Sequence, residues 1–447
     1  MPSPNETFVS QLDQLGLRVP EILLPNSNID LGAWAVVACD QYTSDHEYWA
    51  SVETKVGTAA STLRLVLPEI FLGQPDVPAR VERIHAQMGD YLERQVLESK
   101  GECAVYVRRT TARSGLREGL VLAVDLERYN YSPGSKSLIR ATEGTIVDRI
   151  PPRLAVRRQA PLELPHIMVL VEDEEQCLIE GLGARLGQLE RLYDVDLMQE
   201  GGRLEGYRLD QSDLEHLLNR LVAAWQKAKL RQNSETPLFW AMGDGNHSLA
   251  TAKANWEEVK RGLNETGRDS EAARHPARWA LVEIVNVYSS GLRFEPIHRV
   301  VFTSHVAELA TLLRGGPLVP SIAPIAESDL VALLASPDGQ DKVGYFDGST
   351  FQVVHWSGSN SLPPALVDGL YQRFSETDQT AKIDFIHGWQ DAKKLAQSGA
   401  CAFFLPVLGR DRLFAHVAEH GPLPRKAFSM GDAEEKRYYM EARRITP

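Results

Sequence analysis

Residues 237–253, PLFWAMGDGNHSLATAK, decide how this chain is read. The order is a short apolar strand, a Gly-Asp-Gly turn, an Asn-His-Ser triplet, and a helix expected over 249–260. Backbone amides at a strand-to-helix turn converge on one spot, and the helix start adds partial positive charge there. Such a turn is an anion site suited to phosphate. Gly243 and Gly245 let the backbone approach a ligand closely, and His247 is a hydrogen-bond donor or proton carrier. The stretch lacks the Gly-Lys-Ser/Thr of a P-loop and the G-x-G-x-x-G of a dinucleotide site. A plain turn with Asp244, Asn246 or Ser248 as a helix cap is the simpler alternative. His247 and the strand-then-helix context favour a site.

Working outward, further apolar runs expected to form buried strands fall at 31–39 (LGAWAVVAC), 103–109, 119–125, 164–172 and 279–287. Helical spacing is expected over 45–52, 79–99, 174–192 and 210–229, with a loop at 111–118 and a hairpin at 192–210. The first 30 residues read as a loop and an edge segment. The polar stretch 129–158 is long for a connection, and ordered loops of that kind are often functional. The pattern restarts near residue 301 with a helix and a linker rich in Pro and Ala. These elements predict an α/β (α+β) protein of two domains, 1–300 and 301–447.

At 447 residues, with 43% hydrophobic and 24% charged side chains, the composition is globular. A net charge of -12 argues against nucleic acid or an anionic membrane as the main partner. A local basic cluster, Arg149, Arg153, Arg157 and Arg158, could still hold a phosphorylated small molecule; a solvated helix face is its other reading. Cys39, Cys103, Cys177 and Cys401 are widely separated, which fits neither a disulfide framework nor a cysteine-built zinc site. With no basic-then-apolar leader pattern and no uncharged span of membrane length, the expected compartment is the cytoplasm. Oligomeric state is left open.

Four polar clusters adjoin expected strands: 40–44, 135–149, 243–248 and 296–299. Their inventory suits phosphoryl transfer, which needs amides and cations around phosphate, a carboxylate for a hydroxyl proton, and usually magnesium. Glu143 is the candidate base, and His247 and Asp244 are candidate catalytic residues with it. Lys136, Arg140 and Arg149 are candidate phosphate ligands, joined by His298 and Arg299 from FEPIHR. Asp40, Gln41, Tyr42 and Thr142 are candidates for substrate binding, and Asp40 and Asp244 for Mg2+. His416 and His420 stand four apart, but the Gly-Pro that follows marks a helix end better than a metal pair.

Several separated motifs carry a family resemblance: PEILLPNSNIDLGAWAVVACDQYTS, STLRLVLPEIFL, RATEGTIVDR, AMGDGNHSLATAK, GLRFEPIHR, IDFIHG and LPRKAFSMGDAEEKRYY. Together they look like one large bacterial and archaeal family of unknown function, whose members resemble the free serine kinases of the ParB/sulfiredoxin-like superfamily. The resemblance implies a ParB/sulfiredoxin-like phosphate-binding core with insertions, plus a C-terminal α/β domain. In that superfamily the turn reads Asp-Gly-His-His-Arg and cradles nucleotide phosphates. Asp244, Gly245 and His247 match it; Asn246 replaces the first His and Ser248 the Arg. Losing that Arg removes a cation, which Arg140, Arg149 or Arg299 would have to replace for ATP or ADP to bind. The expected function is phosphoryl transfer to or from a small hydroxyl compound, with serine or phosphoserine first. The alternatives are a phosphatase acting at the same site, a nucleotide-sensing binding protein, and a scaffold with a degenerate site.

Overall fold

A computed structural model describes residues 4–132, 134–315, 319–359 and 361–447. Parts of the expected N-terminal loop, of the 129–158 stretch and of the Pro/Ala linker lie outside the described residues. The chain divides into two compact units: Met1–Leu292 with Val417–Gly421 and Gly431–Pro447, and Arg293–His416 with Pro422–Met430. The architecture is mixed α/β with several sheets. Among the described residues no helix is long and apolar enough to cross a membrane.

The first unit contains a ten-stranded sheet. Its strands in chain order are β1 (Leu17–Arg18), β2 (Ala104–Thr111), β3 (Gly115–Asp125), β4 (Tyr129–Asn130), β5 (Ile139–Arg140), β6 (Met168–Val171), β7 (Glu190–Asp196), β8 (Arg203–Leu209), β9 (Trp240–Asp244) and β10 (Trp279–Asn286). The spatial order is β7-β8-β2-β3-β10-β6-β9-β5-β4, with β1 on β3. Five helices matter for the site and its surroundings: α1 (His46–Val56), α2 (Val77–Glu93), α3 (Ile150–Arg157), α4 (Gln211–Gln232) and α5 (Asn246–Glu265). The central strands are buried on both faces, β10 along its whole length, which explains their unbroken apolar runs. β9 pairs parallel with β5 and antiparallel with β6, so the polar residues leaving β5 and β9 emerge side by side.

Several sequence expectations are corrected. Residues Pro4–Leu15 form an α-helix rather than a loop, and the helix expected over 79–99 stops at Glu93, with a strand from Leu97. Residues 31–39 do not form a buried strand. Asp30 accepts from Gly32 N at 2.9 Å and caps one helical turn, Leu31–Trp34. Only the residues after it are extended, and they pair with the C-terminal segment through a bridge between Val37 and Tyr438. Residues 174–192 are not an α-helix either. A 3-10 stretch, Glu180–Gln188, carries Gly181, Gly183 and Gly187 and gives way to β7; glycine weakens a longer α-helix at such positions. The hairpin expected over 192–210 is present as β7 and β8, and α4 opens on a capping box between Asp210 and Asp213.

The last residues return to the first unit. Ala38 N donates to Arg437 O at 2.8 Å, Tyr439 N to Val36 O at 2.9 Å, and Trp34 Nε1 to Met440 O at 3.1 Å. The segment is anchored by buried charge: Arg437 pairs with Glu283 and Glu441, and Arg443 with Glu163. These partners sit on β10, next to it, or within the segment itself, and removing one partner of a buried pair is strongly destabilising.

The second unit is built on a seven-stranded sheet. Its strands are β11 (Phe294–Phe302), β12 (Ser321–Pro324), β13 (Lys342–Phe346), β14 (Phe351–His355), β15 (Lys382–His387), β16 (Ala400–Phe404) and β17 (Phe428–Met430). The order is β12-β14-β13-β16-β11-β15, with β17 also on β11, and every pairing is antiparallel.

Candidate functional site

β9 ends at Asp244, and Gly245 turns the chain into α5 in the left-handed conformation, φ +74°. A Cβ at Gly245 would lie 3.1 Å from Ile167 Cα, so both space and backbone conformation require glycine here. The first intrahelical bonds of α5 are donated by Ser248 and Leu249 to Gly245 O, which leaves the amides of Asn246 and His247 ahead of the ladder. α5 buries Leu249, Ala252 and Trp256 against the sheet, while Ala250 packs on Ile150 and Leu154 of α3. That contact carries Arg149 and Arg153 to the start of α5.

Around this turn the fold gathers groups from four distant segments. Lys436 Nζ lies 3.0 Å from Asp244 Oδ2, while Asp244 Oδ1 accepts from Gly245 N at 3.0 Å. His166 stands behind the turn. Its Nε2 is 3.0 Å from Ser248 Oγ and 3.5 Å from Asp40 Oδ2, and its Nδ1 is 2.8 Å from Tyr439 Oη. Tyr439 Oη in turn accepts from Cys39 N at 3.1 Å. Burial alone would lower the His166 pKa; the Asp40 carboxylate outweighs it, and the pKa is raised. Burial would raise Asp40, but His166, with Gln41 and Lys436 helping, holds its carboxyl below the usual range. The result is a half-buried Asp40 carboxylate held between His166 and the charge of Lys436.

His247 behaves differently. Its Nε2 accepts from Ile146 N at 3.4 Å. Burial, then the charges of Arg153 and Arg149, push its pKa down to about 4. At neutral pH its imidazole is uncharged. Asn246 Nδ2 donates to Glu143 O at 3.2 Å, and Thr142 Oγ1 to Met242 O at 2.6 Å, so the residues after β5 are laced to the turn. Gln41 Nε2 donates to Asp40 Oδ1 at 3.0 Å, and the Tyr42 ring stacks on Tyr48 at 3.6 Å.

Other expected ligands are located elsewhere. Lys136 is exposed. Arg140 is buried, donating from Nε to Ser137 O at 2.7 Å and from Nη2 to Thr236 O at 3.0 Å, so it braces backbone rather than clamping phosphate. His298 and Arg299 lie on β11 in the core of the second unit. His298 Nδ1 accepts from Leu405 N at 3.1 Å, and burial lowers its pKa to about 4. Arg299, wholly buried, donates to Asp368 and to the carbonyls of Ile297, Arg425 and Lys426. Its donors serve the fold of that unit, which corrects its assignment as a phosphate ligand.

The carboxylates expected to hold magnesium, Asp40 and Asp244, already face an ammonium. Lys436 pairs with Asp244 and also acts on Asp40, so an ammonium already meets the charge a cation would need. Among the described residues no group of three or more His, Cys, Asp or Glu is arranged to hold a metal ion. For a phosphate the fit is better: a glycine-led helix start, Lys436, and the Arg149 and Arg153 charges are all present. His166, Tyr439 and Lys436 were missed as site residues. Lys436 and Tyr439 stand in a quoted family motif, but nothing in local sequence says that residues 436–439 pair with 36–38.

The profile of one family, described as "Protein of unknown function (DUF1015)", matches residues 22–337. The chain belongs to the DUF1015 family. The match includes the turn, Asp40, His166 and β10, while Lys436 and Tyr439 lie beyond it. The large family of unknown function anticipated from the motifs is thereby identified. No curated protein matches the sequence. Among solved structures, this DUF1015 chain is similar to a free serine kinase in complex with AMP, at 9% identity and TM-score 0.37, covering 74% of this chain and 93% of that one. A conserved hypothetical protein from Pyrococcus furiosus gives 8%, TM-score 0.36, and coverage of 73% and 95%. SbnI with a C-terminal truncation, from Staphylococcus aureus, gives 9%, TM-score 0.35, and 70% and 82%. Similarities of this size do not carry residue roles from those proteins to this one.

Proposed function

We propose that this DUF1015 protein transfers a phosphoryl group to or from a small hydroxyl compound. The observation that carries the reading is the convergence of Lys436, Asp40, His166 and Ser248 on the glycine-led start of α5. In this reading the Asn246 and His247 amides hold the phosphate, and Lys436 supplies the cation that Ser248 does not. Asp40, fixed by His166, orients the acceptor hydroxyl. Glu143, whose backbone is tied to Asn246, accepts its proton. Arg149 and Arg153 add positive potential at the turn. ATP or ADP is the partner nucleotide, and the core within residues 1–300 is ParB/sulfiredoxin-like, a reading supported by the AMGDGNHSLATAK and RATEGTIVDR motifs. A phosphatase at the same site is the second reading; Ser248 in place of the motif Arg favours it, because a water can replace the nucleotide.

The test is to incubate the protein with phosphoserine and magnesium, with and without ADP, and to measure serine, phosphate and ATP. Serine and ATP appearing only with ADP is the expected result. Serine and phosphate without nucleotide would make the protein a phosphatase. No turnover, with AMP still bound, would replace both readings by a nucleotide-sensing binding protein.

A further inference from the structure

Behind His166 and Ser248 lies a cavity of about 140 Å³. An engineered protein cavity of about 150 Å³ takes up benzene, so the space here suits a body of roughly six carbons. Leu65, Leu67, Leu72, Met88, Val156 and Ile167 form much of its wall. Its lining where it meets the site includes Ser248 and His166, whose Oγ and Nε2 are 3.0 Å apart, with Tyr439, Cys39 and Thr251, while two Arg–Glu pairs line it elsewhere. The charged side chains lining it are matched with one another or with a neighbour. Arg153 Nε donates to Glu69 Oε1 at 2.7 Å, Arg157 pairs with Glu163, and His166 faces Asp40. A ligand bringing its own charge into this space would break a part-buried pair, which is costly. An uncharged body with a single hydroxyl leaves every pair intact and places its oxygen beside Ser248 Oγ, which can both donate and accept and is held by His166.

We propose that this cavity receives the apolar body of an uncharged alcohol of about six carbons, with its hydroxyl at Ser248 and His166. This assignment goes beyond the phosphotransfer reading: it adds a site for an uncharged alcohol that adjoins the phosphate site through Ser248 and His166. Hydrophobic contact supplies the affinity, and the hydroxyl end sets the orientation.

Isothermal titration with 1-hexanol, serine and inorganic phosphate, each alone, tests the cavity separately from the phosphate site. The full chain is expected to bind 1-hexanol saturably and at least tenfold more tightly than serine. Val156→Phe, at a half-buried wall position, should weaken 1-hexanol at least tenfold and leave phosphate unchanged. Leu72→Trp fills the same space from another side and serves if the first variant does not fold. Absence of saturable 1-hexanol binding, binding unaltered by both fillings, or tighter serine binding would overturn the proposal. If 1-hexanol binds as expected while phosphate does not bind, the cavity assignment stands and the phosphotransfer reading falls.

Discussion

The start of α5 and strand β11 read alike in sequence, since both set histidine and other polar groups beside a buried strand. They differ in what surrounds them. At β11, Arg299 is enclosed and its donors are met by Asp368 and three backbone carbonyls, while His298 accepts a backbone amide. At α5, Asp40 and Asp244 are half-buried and Lys436 is shared between them, so charge concentrates beside helix amides that precede the ladder. A polar group whose bonds close within the fold supports the fold. One left half-buried beside helix amides that precede the ladder is available to a ligand.

The sharpest test of this contrast is Arg299→Met. It strands Asp368 and three carbonyls, and urea unfolding of the second unit should show a loss of about 3–5 kcal/mol, with phosphate affinity unchanged. A loss of phosphate binding instead would move Arg299 back into the site. Next, Gly245→Val forces a branched side chain into the left-handed region against Ile167. A destabilisation of about 2–3 kcal/mol is expected in thermal melts, together with weakened phosphate binding; unchanged binding would reduce the turn to a connection.

Lys436→Met should lower phosphate affinity about tenfold or more, since a charge-assisted bond contributes about 1.5–3 kcal/mol, and should also lower the melting temperature, because Asp244 loses its partner. A smaller effect is expected from acid titration. His247 titrates from 6.5 in the unfolded chain to about 4 in the fold. The unfolded chain therefore binds the extra proton first, and this residue's contribution is complete above pH 6.5 and lost as pH falls toward 4. His247→Asn should flatten the melting temperature over that window. An unaltered slope would mean that the ring is not buried among the arginines.

The elements were legible where one pattern sufficed. β9, the turn and α5 follow from an apolar run, a glycine and helical spacing, and the hairpin of β7 and β8 from its turn glycines. The failures share a cause. LGAWAVVAC is apolar because it is covered by the C-terminal segment, not because it lies in the main sheet, and its capping Asp30 decides the local shape. Arg140 and Arg299 carry the residue type a phosphate needs, but burial and backbone carbonyls decide their use, and neither is visible in a linear chain. Lys436 and Tyr439 reach the site through pairing across some four hundred residues, and His166 meets Ser248 and Tyr439 across long separations of its own, distances over which local periodicity carries no information.

The return of residues 436–443 also dictates when the site comes into being. Every strand of the large sheet lies before residue 287, so during synthesis the sheet can assemble while Lys436 and Tyr439 are still to come. The turn, Asp40 and His166 then wait with a gap where the ammonium and the phenol belong. A prematurely terminated chain would lack the final cation and leave Glu283 and Glu163 without their arginines, so site and scaffold alike depend on synthesis running through residue 443.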